Sequence, residues 1–523
     1  MELTGVPPIP PDVQDRYVAQ GLWDEAGLRD GVEHHARHAP ATVALADASA
    51  SWTYQQLETQ VARAVDALAA HGITDGVPAL VIAPLIAEAV VAYHAIIRCG
   101  GIAVMLDRRC GQADVRHALG LVDAALIITT PDLATRLDLA SVGRPVLSFG
   151  ALGQWPGLRR DWPEPDPGQP RAVVFTSGTT SRPKAVVHSL NTLRAGAQSM
   201  ARALELTGHD AAFLSTPVAS ITGLVQVHLT LDRGARLILE DRFDPAASLG
   251  RLRAQRATVL GGAPIIIEEL FRQAAEQEVP TLPLRAICLG GTMIPRPVLV
   301  QAIERFGITP VRVYGSSETP CATTTAPADR GELRICDDGV RAPGTELSTD
   351  GPRPGELLVR GPMRFLGYLD PADNRDAFVA GGWFRTGDLG TLADGRLTVT
   401  GRVKEIVARK GMKISLAEID EAALTLAGVQ EAASYGVPDP ETGERLVLAV
   451  RCTSPEAESF ETIVSRLAVG GLATWKLPEQ VVFWGRPLPR TASGKILRPA
   501  LVAGAAGQPA GLALRLRRHD QPG

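Results

Sequence analysis

The stretch AVVFTSGTTSRPKAVVHS, running from Ala172 to Ser189, decides how the rest of the chain is read. Ala172 to Phe175 is short, apolar and partly β-branched, the pattern of a buried strand. It runs directly into a turn of glycine, serine and threonine that ends at Lys184. Such a turn aims backbone amides, hydroxyls and one ammonium at phosphate oxygens. A polar surface turn has the same composition, so the surroundings must choose between the two. Just upstream, QWPGLRRDWPEPDPGQP (Gln154 to Pro170) is crowded with proline and tryptophan and has no period, which marks a connector between subdomains at 154–170.

Further out, from about residue 30 to 310, amphipathic helical stretches alternate with short apolar runs, the pattern of layered α/β structure. In one unit Thr53 and Gln56 have capping-box spacing, and Leu57, Val61, Val65 and Leu68 share a helical face. Gly72 is placed to stop that helix, and Ala79 to Ala83 reads as the strand that follows. Between Gly355 and Thr400 the pattern changes to short alternating runs (ELLVR, RLTVT) with Gly and Asp turns, a small β region. Glu405 to Ala500 reads as compact α+β. The fold class expected is α/β: a large N-terminal domain of layered α/β subdomains plus a small β region (1–403), then a small α+β domain (404–505). A Gly, Ala and Pro-rich tail (506–523) is expected to fray.

The chain has 523 residues and a formal net charge of -4, so it offers no global attraction to nucleic acid or to an anionic membrane. No window reaches the ~18 uninterrupted apolar residues of a membrane span. Six scattered cysteines show neither zinc nor disulfide spacing and fit a reducing compartment, so a cytoplasmic protein acting on small molecules is expected.

Five segments occur in an order that resembles the adenylate-forming superfamily of acyl-CoA synthetases, aryl-acid ligases, nonribosomal adenylation domains and beetle luciferases. They are TSGTTSRPKAVVHS (Thr176 to Ser189), YGSSE (Tyr314 to Glu318), WFRTGD (Trp383 to Asp388), GRVKEIVARKGMKISLAEID (Gly401 to Asp420) and PRTASGKILRPAL (Pro489 to Leu501). The resemblance spans about residues 20 to 501. It implies that Thr176, Ser177, Gly178, Thr179, Thr180 and Lys184 hold the phosphates of ATP. Tyr314 would stack on adenine, with Gly290, Gly291, Thr292, Gly315, Ser316 and Ser317 around the nucleotide. Glu318 would ligate Mg2+, since a hard cation takes carboxylate oxygen. Asp388 would accept from the ribose hydroxyls, Arg402 would contact ribose or phosphate, and Lys404 would be the hinge of a mobile C-terminal domain. Lys495 is the implied catalytic residue of adenylation, its ammonium neutralising charge between the attacking carboxylate and the α-phosphate. Arg409, Lys410 and Gly411 would border the path of CoA.

Two departures stand out. Ser181 replaces a glycine of the usual phosphate loop, with Arg182 beside it, and a side chain there can re-aim the loop. Leu190 and Ser220 stand where many relatives have histidine. Three readings therefore stay open: an acid–thiol ligase making an acyl-CoA from ATP, acid and CoA; an enzyme that only joins a preformed acyl-adenylate, supplied by a partner adenylating enzyme, to CoA; and a loader of carrier-protein phosphopantetheine. Amino-acid adenylation domains carry an aspartate near Val218, which this chain lacks. The expected acyl lining, Ser220, Gly223, Gly261, Gly262, Ala263 and Gly290, is small and mostly apolar, which suits a bulky apolar, aromatic or alicyclic acid.

Overall fold

In the computed structural model the Ala172 run becomes the strand Pro170–Phe175, and the chain returns after the turn as the antiparallel strand Ala185–Ser189. The structure describes residues 6–24, 31–158, 164–176, 183–291, 294–403, 405–409, 412–454, 458–491 and 494–517. The chain forms two compact units. The first comprises Met1–Ser348, Leu358–Thr386 and Asp394–Leu397; the second comprises Thr349–Leu357, Gly387–Ala393 and Thr398–Gly523.

Two sheets organise the first unit. In one, Pro170–Phe175, Ile102–Asp107, Pro78–Ala83, Leu126–Thr129 and Val146–Ser148 lie side by side and parallel, with Ala185–Ser189 and then Gly367–Tyr368 added antiparallel at the edge. In the other, Thr309–Tyr314, Ala286–Gly290, Val259–Gly262, Ala211–Leu214, Arg236–Leu239 and Val43–Ala46 run parallel in that order. Parallel strands buried on both faces read as continuous apolar runs, and these do.

The helix expected after Thr53 is Tyr54–Ala70, and its capping box closes with the Thr53 side chain accepting from Gln56 N. Its Leu57, Val61, Val65 and Leu68 enter one core with residues of both sheets, such as Val81, Val174, Leu214 and Leu237. The helices Ala87–Arg98 and Ile221–Leu231 are apolar nearly all round and are buried in the same core.

The second unit is built on the hairpin Val429–Asp439 and Gly443–Cys452. Helices Leu416–Leu424 and Phe460–Val469 pack in its core through Ile419, Ala423, Ile463 and Leu467. Residues 506–517 of the tail, expected to fray, carry regular structure. Ala510–Leu512 pairs antiparallel with Gln480–Phe483, because Gly511 lets the backbone close on Phe460, where an added Cβ would lie 2.4 Å from the Phe460 Cβ. Arg515 reaches Asp439, Glu441 and Glu479 at 3.1, 3.0 and 2.8 Å. All six cysteines are free thiols. Among the described residues no helix is long and apolar enough to cross a membrane.

Candidate active site

The base of the phosphate turn is closed by two bonds: Thr176 N donates to Lys184 O at 3.0 Å, and Lys184 N donates to Thr176 Oγ1 at 3.2 Å. Ser177, Gly178, Thr179 and Thr180 lie outside the described residues, as do Ser181 and Arg182. Lys184 itself is well defined by its neighbours. Its ammonium sits 3.1 Å from Asp373 Oδ1 and 4.4 Å from the centre of the Tyr368 ring. The Tyr368 hydroxyl in turn donates to Glu318 Oε1 at 2.6 Å. Burial, and then the Glu318 charge, push the Tyr368 hydroxyl well above the usual tyrosine range, so it stays protonated as the donor. A line of groups, Asp373, Lys184, Tyr368 and Glu318, thus joins the phosphate turn to the YGSSE segment.

Tyr314 ends the strand Thr309–Tyr314 half-buried, at the carboxyl end of the parallel sheet where ligands of such sheets bind. Beyond it the chain turns sharply. Gly315 is required there, since an added Cβ would lie 2.4 Å from Pro320 O. Ser316 is used by the turn itself: its hydroxyl accepts from Glu318 N at 3.2 Å and Thr319 N at 3.3 Å. Ser317 O accepts from His188 Nε2 at 2.7 Å, and His188 Nδ1 lies 3.0 Å from Thr192 Oγ1. Gly290 packs too closely on Val313 O to carry a side chain, and Gly291 adopts φ 78°, while Thr292 lies outside the described residues.

His188 was not singled out in the sequence, yet it ties the strand after the phosphate turn to the Glu318 loop. Burial drives its pKa down to about 4 from an ordinary 6.5. A folded-state value below the unfolded one gives stability that is full above pH 6.5 and is lost as pH falls towards 4. The loss amounts to about 3 kcal/mol. Thermal melts from pH 7.5 to 4.5 should therefore show the first unit losing stability more steeply in the native protein than in His188→Gln, which keeps a donor and does not titrate.

In the second unit Asp388 and Arg402 meet: Arg402 Nε donates to Asp388 Oδ1 at 2.6 Å, and Val403 N closes the same ladder on Gly387 O at 2.8 Å. Lys404, Lys410 and Gly411 lie outside the described residues. Arg409 is buried, and its guanidinium donates to Leu477 O at 2.9 Å and to Trp475 O and pairs with Glu479 at 3.3 Å. Its guanidinium is thus engaged inside the unit. Lys495 leaves a tight turn in which Thr491 N donates to Lys495 O at 2.7 Å, Lys495 N donates to Thr491 Oγ1 at 3.1 Å and Gly494 adopts φ 85°.

Two of the residues expected to line the acyl site also serve the fold. Ser220 caps the helix Ile221–Leu231, accepting from Gly223 N at 3.1 Å while donating to Pro217 O at 2.7 Å. Gly223 faces that same backbone, with an added Cβ 2.1 Å from Pro217 O, so both residues build the helix start. Gly262 does have room: the nearest atom to an added Cβ is Thr216 Oγ1 at 3.6 Å.

Residues 32–369 match the family described as AMP-binding enzyme, and residues 418–495 match its C-terminal domain. The chain belongs to the AMP-binding enzyme family. Among its relatives, the medium-chain fatty-acid–CoA ligase of Escherichia coli K12 is 30% identical over 92% of this chain and 90% of its own. The indoleacetate–CoA ligase of Aromatoleum aromaticum is 29% identical over 90% and 96%. The fold matches that of o-succinylbenzoate CoA synthetase from Bacillus subtilis, solved with its acyl-adenylate, at TM-score 0.80 and 24% identity over 90% of this chain and 97% of that one. At the level of the family, this AMP-binding enzyme is an acyl-CoA synthetase-type ligase that works through an acyl-adenylate.

The donor set of this AMP-binding enzyme suits a magnesium ion that arrives with its nucleotide. Among the described residues no cluster of three or more His, Cys, Asp or Glu side chains stands ready to hold a metal. Glu318 offers one carboxylate oxygen beyond the one fixed by Tyr368. Magnesium is commonly held by one or two carboxylates plus substrate phosphates, so the fit is good.

Proposed function

We propose that the protein is an acid–thiol ligase that consumes ATP, forms an acyl-adenylate from a bulky aromatic or alicyclic acid and transfers the acyl group to CoA. The observation that carries this reading is the line Lys184, Tyr368 and Glu318, because an ammonium and a pre-oriented carboxylate beside the phosphate turn serve a triphosphate and have little use in a site for AMP alone. The acid's carboxylate attacks the α-phosphorus and pyrophosphate leaves. A thiolate then attacks the mixed anhydride and AMP leaves. Lys184 binds phosphate, Glu318 orients the metal-bound triphosphate, and Lys495 neutralises the carboxylate and α-phosphate as they meet. The chemistry a magnesium ion supplies, when Glu318 and the phosphates hold it, is charge neutralisation on the departing pyrophosphate.

The names of the relatives, which include indoleacetate–CoA ligase and feruloyl-CoA synthase, support an aromatic acid. Residues 1–403 and 404–505 as the two working domains, Lys404 as their hinge and Lys410 and Gly411 beside CoA belong to this proposal, as does a cytoplasmic location. Calorimetric titration with AMP and with magnesium ATP tests it. Binding of both supports the two-step ligase, and binding of AMP alone rejects it.

One observation favours the reading limited to thioester formation. Asp373 already neutralises Lys184, and a phosphate must displace it. Asp373→Ala is expected to tighten magnesium ATP roughly two- to fivefold, as a half-buried ion pair near the surface allows, and to leave AMP unchanged. An unaltered ATP affinity would show that Asp373 does not compete.

A further inference from the structure

Among the described residues, two polar side chains near the expected acyl lining make no hydrogen bond. Gln226, in the helix Ile221–Leu231, is 4% exposed, and its carboxamide makes no hydrogen bond among the described residues. It lies against the bare Cα of Gly261: a Cβ built there would be 2.7 Å from Gln226 Oε1 and 3.0 Å from Nε2. Gly261 pairs in register with Leu214 on the neighbouring parallel strand. The residue after Leu214 is Ser215, whose hydroxyl is fully enclosed and without a partner. Gly261 and Leu214 thus lie near the carboxyl ends of two adjacent parallel strands, the side where ligands of such sheets enter. Buried amides in native proteins are almost always hydrogen-bonded, and an amide that has no partner among the described residues and lies on a bare glycine Cα calls for a polar ligand group.

We infer that Gln226 is the specificity-determining residue of the acyl site, and that the preferred acid carries a hydroxyl, carbonyl or amide substituent on its ring or chain that bonds the Gln226 carboxamide. The inference rests on the acyl-adenylate reading above and refines it, since the small apolar lining alone selects only for size. Gly261 has a defined part: any side chain there displaces the carboxamide.

The test uses non-reacting sulfamoyl analogues of acyl-adenylates, adenosine joined to benzoyl groups that carry either a hydroxyl or a methyl at the same ring position, 2, 3 or 4. Calorimetric Kd values are taken for the native protein, Gln226→Leu and Gly261→Ala, with AMP titrated alongside to show that each variant is folded. The native protein should prefer the hydroxyl member roughly tenfold or more at one ring position at least, and both variants should reduce that preference to about twofold or invert it. If the native protein shows no preference at any position, or Gln226→Leu retains it, while AMP binds throughout, the inference falls and the nucleotide reading stands. If neither AMP nor any analogue binds the native protein, the nucleotide reading falls and takes the inference with it.

Discussion

Lys495→Ala is expected to lower acid-dependent ATP–pyrophosphate exchange by roughly 10²- to 10³-fold, the usual cost of removing one charge-stabilising donor from a transition state. The same variant should convert a supplied acyl-adenylate and CoA to thioester within a few-fold of the native rate, because no carboxylate has to meet a phosphate in that step. The fold should not suffer. Thr491 and Lys495 hold their turn through backbone atoms and the Thr491 hydroxyl, and Arg490 anchors it with bonds to Glu431 Oε1 at 2.9 Å and Gly494 O at 2.9 Å. Lys495→Arg should also be poor, since a planar fork does not replace a compact ammonium. Equal loss in both half-reactions would remove Lys495 from its assigned role.

The second large effect is expected at Glu318. Glu318→Gln keeps the size of the side chain and an oxygen for Tyr368, but removes the charge that a hard cation needs. Magnesium ATP should bind roughly 10²-fold more weakly, at a cost of about 2.7 kcal/mol, while AMP binds as before. Tyr368→Phe should give a smaller loss in the same direction, because it frees the carboxylate without discharging it. A Glu318→Gln protein that loses AMP as well would mean that the carboxylate supports the loop and not the metal-bound nucleotide. Measuring both ligands on both variants separates the two cases.

How far the sequence reached depends on how local each feature is. The Thr53 cap, the helix after it and the strand into the phosphate turn need only neighbours a few residues apart, and all three form as read. The pairing of Asp388 with Arg402 was also within reach, since each lies in a matched motif and a hairpin joins them. Tyr368 and Asp373 were not, because their partners Glu318 and Lys184 are 50 or more residues away in the chain and meet them only through the strand Gly367–Tyr368 at a sheet edge. His188 stands inside a quoted motif, and its role is set by Ser317, 129 residues on.

Several of the expected site residues are also engaged by the fold itself. Ser220 and Gly223 sit in the right segment, but the helix start consumes the hydroxyl and the missing side chain for its own cap and packing. Arg409 sits in a matched motif, but burial turns its guanidinium onto carbonyls. Motif spacing reports which residue types are present near a site; it does not report which of them the local backbone has already claimed. Gln226 is the converse, an amide with no hydrogen bond among the described residues in a mostly apolar helix.

The most direct test of the central claim is acid-dependent ATP–pyrophosphate exchange with a panel of aromatic and alicyclic acids. The two-step ligase predicts exchange that requires both magnesium and the acid and that vanishes in Lys495→Ala. An absence of exchange with every acid, in a protein that binds AMP and turns supplied acyl-adenylate and CoA into thioester, would contradict it.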